Sequence, residues 1–140
     1  MSDLPALLTK LRELWAERAP TAYRVRRGAV NWSAFDFKQH PRGVAIILEE
    51  SPLLPQPGNN RATIGFEVFA AMHTGEAENL DDGVLEELRD DARAVIGGIA
   101  EWVVDGRPQC DVDLNSAVVD EAYDLRRGVQ GILVSFDVLF

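Results

Sequence analysis

The sequence predicts an α+β fold, with two helices packed on one face of a mostly antiparallel, twisted sheet. Three observations lead there. Apolar residues recur at helical spacing in two separate stretches. Between and after them the chain breaks into short runs rich in β-branched and aromatic residues, bounded by Gly and Pro. The resulting order is helix, strands, helix, strands.

The first helix is expected from Leu4 to Glu17. Leu4, Leu7, Leu8, Leu11, Leu14 and Trp15 fall on one stripe, with Lys10, Arg12, Glu13 and Glu17 between them. Ser2 or Asp3 can cap its start, Pro5 is tolerated in the first turn, and Pro20 closes it. Tyr23 and Val25 alternate with Arg24 and Arg26, which predicts a short half-buried strand before Gly28. Val30 to Phe37 alternates poorly and reads as an irregular loop anchored by Trp32, Phe35 and Phe37. Val44 to Leu48 is a continuous apolar run, which predicts a strand buried on both faces.

Pro52, Pro55, Pro57 and Gly58 mark Ser51 to Asn60 as a loop that also carries Leu53 and Leu54. Ala62 to Ala71 is the next strand, with Ile64, Phe66 and Val68 on one side and Thr63, Gly65 and Glu67 on the other. Thr74-Gly75 suggests a turn. A second helix is expected from about Asp82 to Val104, capped by Asp81 or Asp82, its stripe running from Val84 to Val103. Gly97-Gly98 interrupts it, which favours close packing on the sheet over a bend. Asp105 to Asn115 reads as loop and Ala117 to Leu125 as a strand. The final strand places Ile132, Val134, Phe136, Val138 and Phe140 on one wholly apolar face.

The 140 residues show no internal repeat and no linker, so they read as a single domain spanning 1–140. One cysteine, Cys110, cannot form an internal disulfide, which fits a reducing compartment. The first residues carry no signal-peptide pattern, and no uncharged apolar stretch is long enough to span a bilayer, so no membrane partner is expected. A formal charge of −9 argues against wrapping nucleic acid, because phosphate binding is driven by Lys and Arg. The same charge suits a wall that DNA passes without sticking.

Residues able to do chemistry form no recognisable set. His40 and His73 stand apart beside loop-forming residues, with no nucleophile elbow and no zinc helix in the chain. Asp111-Val112-Asp113-Leu114-Asn115 opens like a calcium loop, but Ser116 stands where glycine is required and Ala122 where the bidentate glutamate belongs. Glu86, Glu87, Asp90 and Asp91 lie among Arg89 and Arg93 on the second helix, which reads as a wet face without designed pairing. No phosphate-binding glycine loop is present. The expectation is a protein with no catalytic residues, no cofactor and no metal. Arg24, Arg26, Arg27 and Arg126, Arg127 form two small basic patches. They are either plain solvated strand ends or complements to an acidic neighbour, including another copy of the chain.

Three segments form a set: Pro41-Arg42-Gly43-Val44-Ala45-Ile46-Ile47-Leu48 after the short N-terminal helix, Ala62-Thr63-Ile64-Gly65-Phe66-Glu67-Val68-Phe69 before a long acidic helix, and Ala122-Tyr123-Asp124-Leu125-Arg126-Arg127 before Gly131 to Phe140. In that order, and over nearly the whole chain, they resemble the bacteriophage tail-terminator family, typified by the minor tail protein U of phage lambda. Ser51 to Asn60 and the region around Asp105 to Asn115 stand outside the resemblance.

The resemblance implies a virion structural protein, assembled in the host bacterial cytoplasm, that forms a homohexameric ring on the head-proximal end of the tail. Such a ring stops growth of the major tail tube protein, offers a docking face to head and neck connector proteins, and passes DNA through its lumen without specific binding. A ring subunit needs two complementary patches. At ~800 Å² each, they would take about a fifth of the ~7,000 Å² expected for this mass. Trp32, Phe35, Leu53, Leu54, Arg126 and Arg127 are the candidate interface residues; the four apolar ones are expected to be exposed in loops. The alternatives are a neck or tail-completion protein that joins head to tail, and a small α+β regulatory or ligand-binding domain. An enzyme ranks last.

Overall fold

A computed structural model describes residues 3–18, 23–71, 81–124 and 128–140. The elements in chain order are α1 (Leu4–Arg18), β1 (Tyr23–Arg27), β2 (Arg42–Glu50), β3 (Arg61–Ala71), α2 (Asp82–Ala100), β4 (Val103–Val104), β5 (Arg107–Pro108), β6 (Asp111–Asp124) and β7 (Val129–Leu139). Five strands form one sheet in the order β1-β2-β3-β7-β6, and β4 pairs with β5 in a separate small ribbon. Only β1 and β2 run parallel; the other neighbours are antiparallel. The fold is α+β, with a mostly antiparallel sheet.

Strand alternation decides which face the helices cover. Val44 lies opposite Val68, Ile46 opposite Phe66, and Leu48 opposite Ile64. On the other side of β3, Phe66 meets Val134 and Ile64 meets Phe136. These side chains form one core with Leu7, Leu11 and Trp15 of α1 and Val84, Leu85, Leu88, Ala92, Val95 and Ile99 of α2. Burying each large apolar side chain contributes about 1.5–3 kcal/mol, so this face supplies the main drive to fold. Trp15 has no exposed surface and stands edge-on to Tyr23 and Phe66, with ring centroids 5.2 and 5.3 Å away.

Local chemistry sets the helix starts. Asp3 Oδ1 accepts the Ala6 N–H at 2.9 Å, so Asp3 caps α1. Asp81 caps α2, its Oδ1 accepting from the Val84 N–H at 3.2 Å. Gln130 of β7, wholly buried, braces that cap: its Oε1 accepts from the Asp81 N–H at 2.8 Å.

A parallel pair needs a return connection, and residues 28–41 supply it as the irregular loop expected from the sequence. The loop crosses the face opposite the helices. Trp32 packs on Phe69 with centroids 4.8 Å apart and on Phe35 at 5.1 Å, while its Nε1 donates to Glu67 Oε1 at 2.8 Å. Gly43 lies under this cluster: a Cβ there would stand 2.7 Å from Phe35 Cζ. Trp32 and Phe35 are therefore half-buried within the fold, which corrects the expectation that they are exposed. The cause is the crossover, a tertiary constraint that a run of loop residues does not reveal.

Two further expectations change. The second helix stops at Ala100, not Val104, because Glu101 caps it. The chain then turns back through Asp105 and Gly106, at φ of 51° and 75°, and Val103-Val104 pairs with Arg107-Pro108. Two consecutive left-handed residues suit a tight hairpin. The stretch from Asp105 to Asn115 is thus a hairpin followed by the start of β6, not plain loop. β6 reaches 14 residues because a bulge between Asp113 and Val118 absorbs the irregular middle.

The acidic face of α2 is also more than a wet surface. Asp91 accepts the Tyr23 hydroxyl at 2.8 Å and Arg18 Nε at 3.2 Å. Arg42 bridges Glu87 and lies 3.8 Å from Asp91. Arg89 reaches Glu121 of β6 at 2.6 Å, and Arg93 pairs with Asp90 at 2.6 Å. The reading of no designed pairing is overturned, because most partners lie on other elements, far away in sequence. Burial and the bond to Asp91 push the Tyr23 hydroxyl well above its usual pKa, so it stays a neutral donor.

Two glycines give a paired test. A Cβ at Gly131 would sit 2.2 Å from the Val68 carbonyl oxygen, against backbone that cannot yield. Gly131→Ala is expected to lose about 2–3 kcal/mol in urea melts. Gly97 has nothing within 4 Å of its ideal Cβ, unlike Gly98, which packs on Leu14 of α1. Gly97→Ala is expected to gain about 0.5–1 kcal/mol by helix propensity. Equal responses at the two sites would contradict this packing.

Candidate functional site

The described residues place their unusual features on rims and loops. The loop after β2 is stiffened by Pro52, Pro55 and Pro57 and closed on itself: Gln56 N–H donates to Asn60 Oδ1 at 2.8 Å, and Asn60 Nδ2 donates back to the Gln56 carbonyl at 2.6 Å. Asn60 and Phe140 exchange backbone hydrogen bonds at 2.9 and 3.0 Å, which fixes the loop to the end of the chain. On this firm base Leu53 and Leu54 are 93% and 83% exposed. A stiff loop that holds two leucines in water is unusual, because their transfer to an apolar surface is favourable. Beside the loop is an open hollow of about 730 Å³, lined in part by Pro5, Pro52, Pro55, Pro57 and Phe140.

The second feature is the edge strand β6. Val118 and Tyr123 are 61% and 58% exposed, with Val119 close behind. Between α2 and β6 runs a groove of about 180 Å³ lined by Ala92, Ile96, Val119, Ile132 and Val134. It lies where α2 packs across β7 and β6. Long edges with apolar side chains are templates for another chain unless something blocks them. The third feature is the opposite edge, β1, where Arg24, Arg26 and Arg27 are exposed.

Of the residues singled out from the sequence, Leu53 and Leu54 stand exposed as expected, and Trp32 and Phe35 serve the crossing loop. Arg126 and Arg127 lie outside the described residues, as do His73 and Thr74-Gly75. Sequence reasoning missed Val118, Val119 and Tyr123. The segment from Ala117 was legible as a strand, but whether it lies inside the sheet or at its edge was not.

The structure does not bring the titratable candidates together. His40 sits in the crossing loop beside Phe35, whereas Cys110 lies in the helix-side core. The Cys110 thiol donates to the Ile99 carbonyl oxygen at 3.3 Å, and burial together with the Asp111 charge pushes its pKa up to about 11. A buried neutral thiol is inert as a nucleophile at neutral pH. Asp113, from the segment with a calcium-like rhythm, pairs at 3.6 Å with Arg61, which also bridges Asp137. Among the described residues no three His, Cys, Asp or Glu side chains are grouped to hold a metal ion. No helix among them is long and apolar enough to cross a membrane.

No protein-family model matches the chain, and no curated protein matches it in sequence.

Two outcomes follow for stability. Leu53→Ser with Leu54→Ser is expected to shift stability by no more than about 0.5 kcal/mol, whereas Trp32→Ala loses about 2 kcal/mol or more. Similar losses from both would deny the contrast between loop and cluster. Cys110 has a folded pKa above its unfolded one, so its contribution is present below about pH 9 and is lost as the pH climbs through about 11. Thermal melts should fall over that window by about 1–2 kcal/mol, and Cys110→Ala should flatten that part of the fall.

Proposed function

We propose that this chain is a structural subunit of a bacteriophage tail, a tail terminator. In this reading it forms a hexameric ring at the head-proximal end of the tail tube, halts tube growth and presents a docking face to head and neck proteins. It works by shape and adhesive surfaces and carries out no catalysis. Its place of action is the virion, after assembly in the bacterial cytoplasm.

The observation that carries this reading is the stiff loop that holds Leu53 and Leu54 in water, on a fold whose sheet, among the described residues, has an unpaired edge at each side. A monomer gains nothing from that arrangement, and a subunit with neighbours gains on each contact. The folded chain exposes 8176 Å², so two ring contacts of ~800 Å² per side would occupy about a fifth of it. Ample surface is left for tube and neck. The fold class agrees with that implied by the resemblance, and the net charge of −9 suits a lumen that DNA must traverse freely.

In phage particles assembled without this protein, electron microscopy is expected to show tails of uncontrolled length. Tails of normal length in its absence would remove the terminator role. Leu53→Asp with Leu54→Asp should leave the chain folded and reduce length control, since a charge in an apolar contact costs several-fold in affinity or more. Intact length control in that variant would exclude the leucine loop from the contact.

A further inference from the structure

Among the described residues, the two outer edges of the sheet carry opposite charge. On β1, Arg24 pairs in register with Gly43 and Arg26 with Ala45, which places both arginines on the sheet face away from the helices. On β6, Asp120 lies opposite Leu133 and Asp124 opposite Val129, which puts these acids on that same face. Among the described residues Arg24, Arg26 and Asp120 make no salt bridge. β6 adds the exposed Val118 and Tyr123. From Val118 to Asp124 it follows β7 without a break in register, so its outer rim is regular over more residues than the five of β1.

Strand direction agrees. β1 and β2 point one way, β3 the other, β7 with β2, and β6 against it. A second copy set beside the first in the same orientation therefore brings its β1 antiparallel to β6 of the first. Its Arg24 and Arg26 then lie on the same face as Asp120 and Asp124.

We propose that copies of this chain join head to tail, the basic β1 edge of one against the acidic β6 edge of the next. Edge charges normally keep sheets apart. Here they discriminate: β1 against β1 and β6 against β6 both repel, and only the unlike pair attracts. A contact between two different patches is heterologous, so it builds a ring when its rotation closes. The proposal names the subunit contact of the terminator reading and rests on that reading only for closure.

Native mass spectrometry and sedimentation on the full chain test it. The wild-type chain is expected to self-associate, at least about tenfold more weakly when salt rises from ~0.1 to ~1 M and screening tightens. Arg24→Glu with Arg26→Glu leaves both edges acidic, and Asp120→Arg with Asp124→Arg leaves both basic; each is expected to stay monomeric alone. Mixed in equal amounts they should assemble again, in strict alternation and even numbers. If either reversed chain fails to fold by circular dichroism, Arg24→Gln with Arg26→Gln serves instead, with about tenfold weaker association expected.

A wild-type monomer at the highest attainable concentration, an assembly that ends at two copies, reversed chains that assemble like wild type, or a mixture that stays apart would each overturn the proposal. Charge-dependent assemblies from a chain whose loss leaves tail length unchanged would keep the edge pairing and remove the terminator role. Length control that survives both reversals would do the opposite.

Discussion

Eleven residues of β3 run antiparallel to β7 in unbroken register, from Arg61 opposite Leu139 to Ala71 opposite Val129. Because side chains alternate strictly along a strand, a slip of one residue would put Ile64, Phe66 and Val68 on the opposite face of the sheet from Ile132, Val134 and Phe136. The energetic loss would involve the whole core at once, so this pairing fixes which face is helix-covered. α1 and α2 then have a single apolar surface to bury against, and the Tyr23, Arg42, Glu87 and Asp91 cluster ties α2 to β1 and β2.

The same pairing shapes the opposite face. Small residues lie where large neighbours cross: Gly131 beneath Phe69, Gly43 beneath Phe35, and Gly65 beneath Glu49. Glu49 stretches over Gly65 and accepts the Ser135 hydroxyl at 2.8 Å. Part of this face is thus covered by the crossing loop, and polar bridges such as Glu49 to Ser135 span another part. Few apolar groups are left over, which is why the remaining exposed ones concentrate on the leucine loop, β4 and β6.

Much of the fold was legible from residues alone. The stripe Leu7, Leu11, Trp15 and the alternation Ile132 to Val138 are local repeats, and each periodicity admits one kind of element. Asp3 and Asp81 were legible as caps for the same reason, since a cap bonds within its own first turn. Leu53 and Leu54 were legible as exposed because the prolines around them forbid a strand. Less legible were Trp32 and Phe35, whose burial depends on where the parallel crossover runs. Gln130 gave no signal at all, because its partner is the Asp81 backbone, 49 residues away in sequence.

What the sequence by itself determined is the two helices, the main strands and the class of fold. These follow from interactions within a turn or between neighbours two to four residues apart. Tertiary structure alone decided the strand order β1-β2-β3-β7-β6, and with it which strands have a free rim. Edge position is a property of the whole sheet: nothing local in β6 marks it, and only its having β7 on one side and no described strand on the other leaves Val118 and Tyr123 exposed. Opposite charges on the two rims are written in the chain, but they become a pair of complementary surfaces only once folding sets them at opposite ends of one sheet.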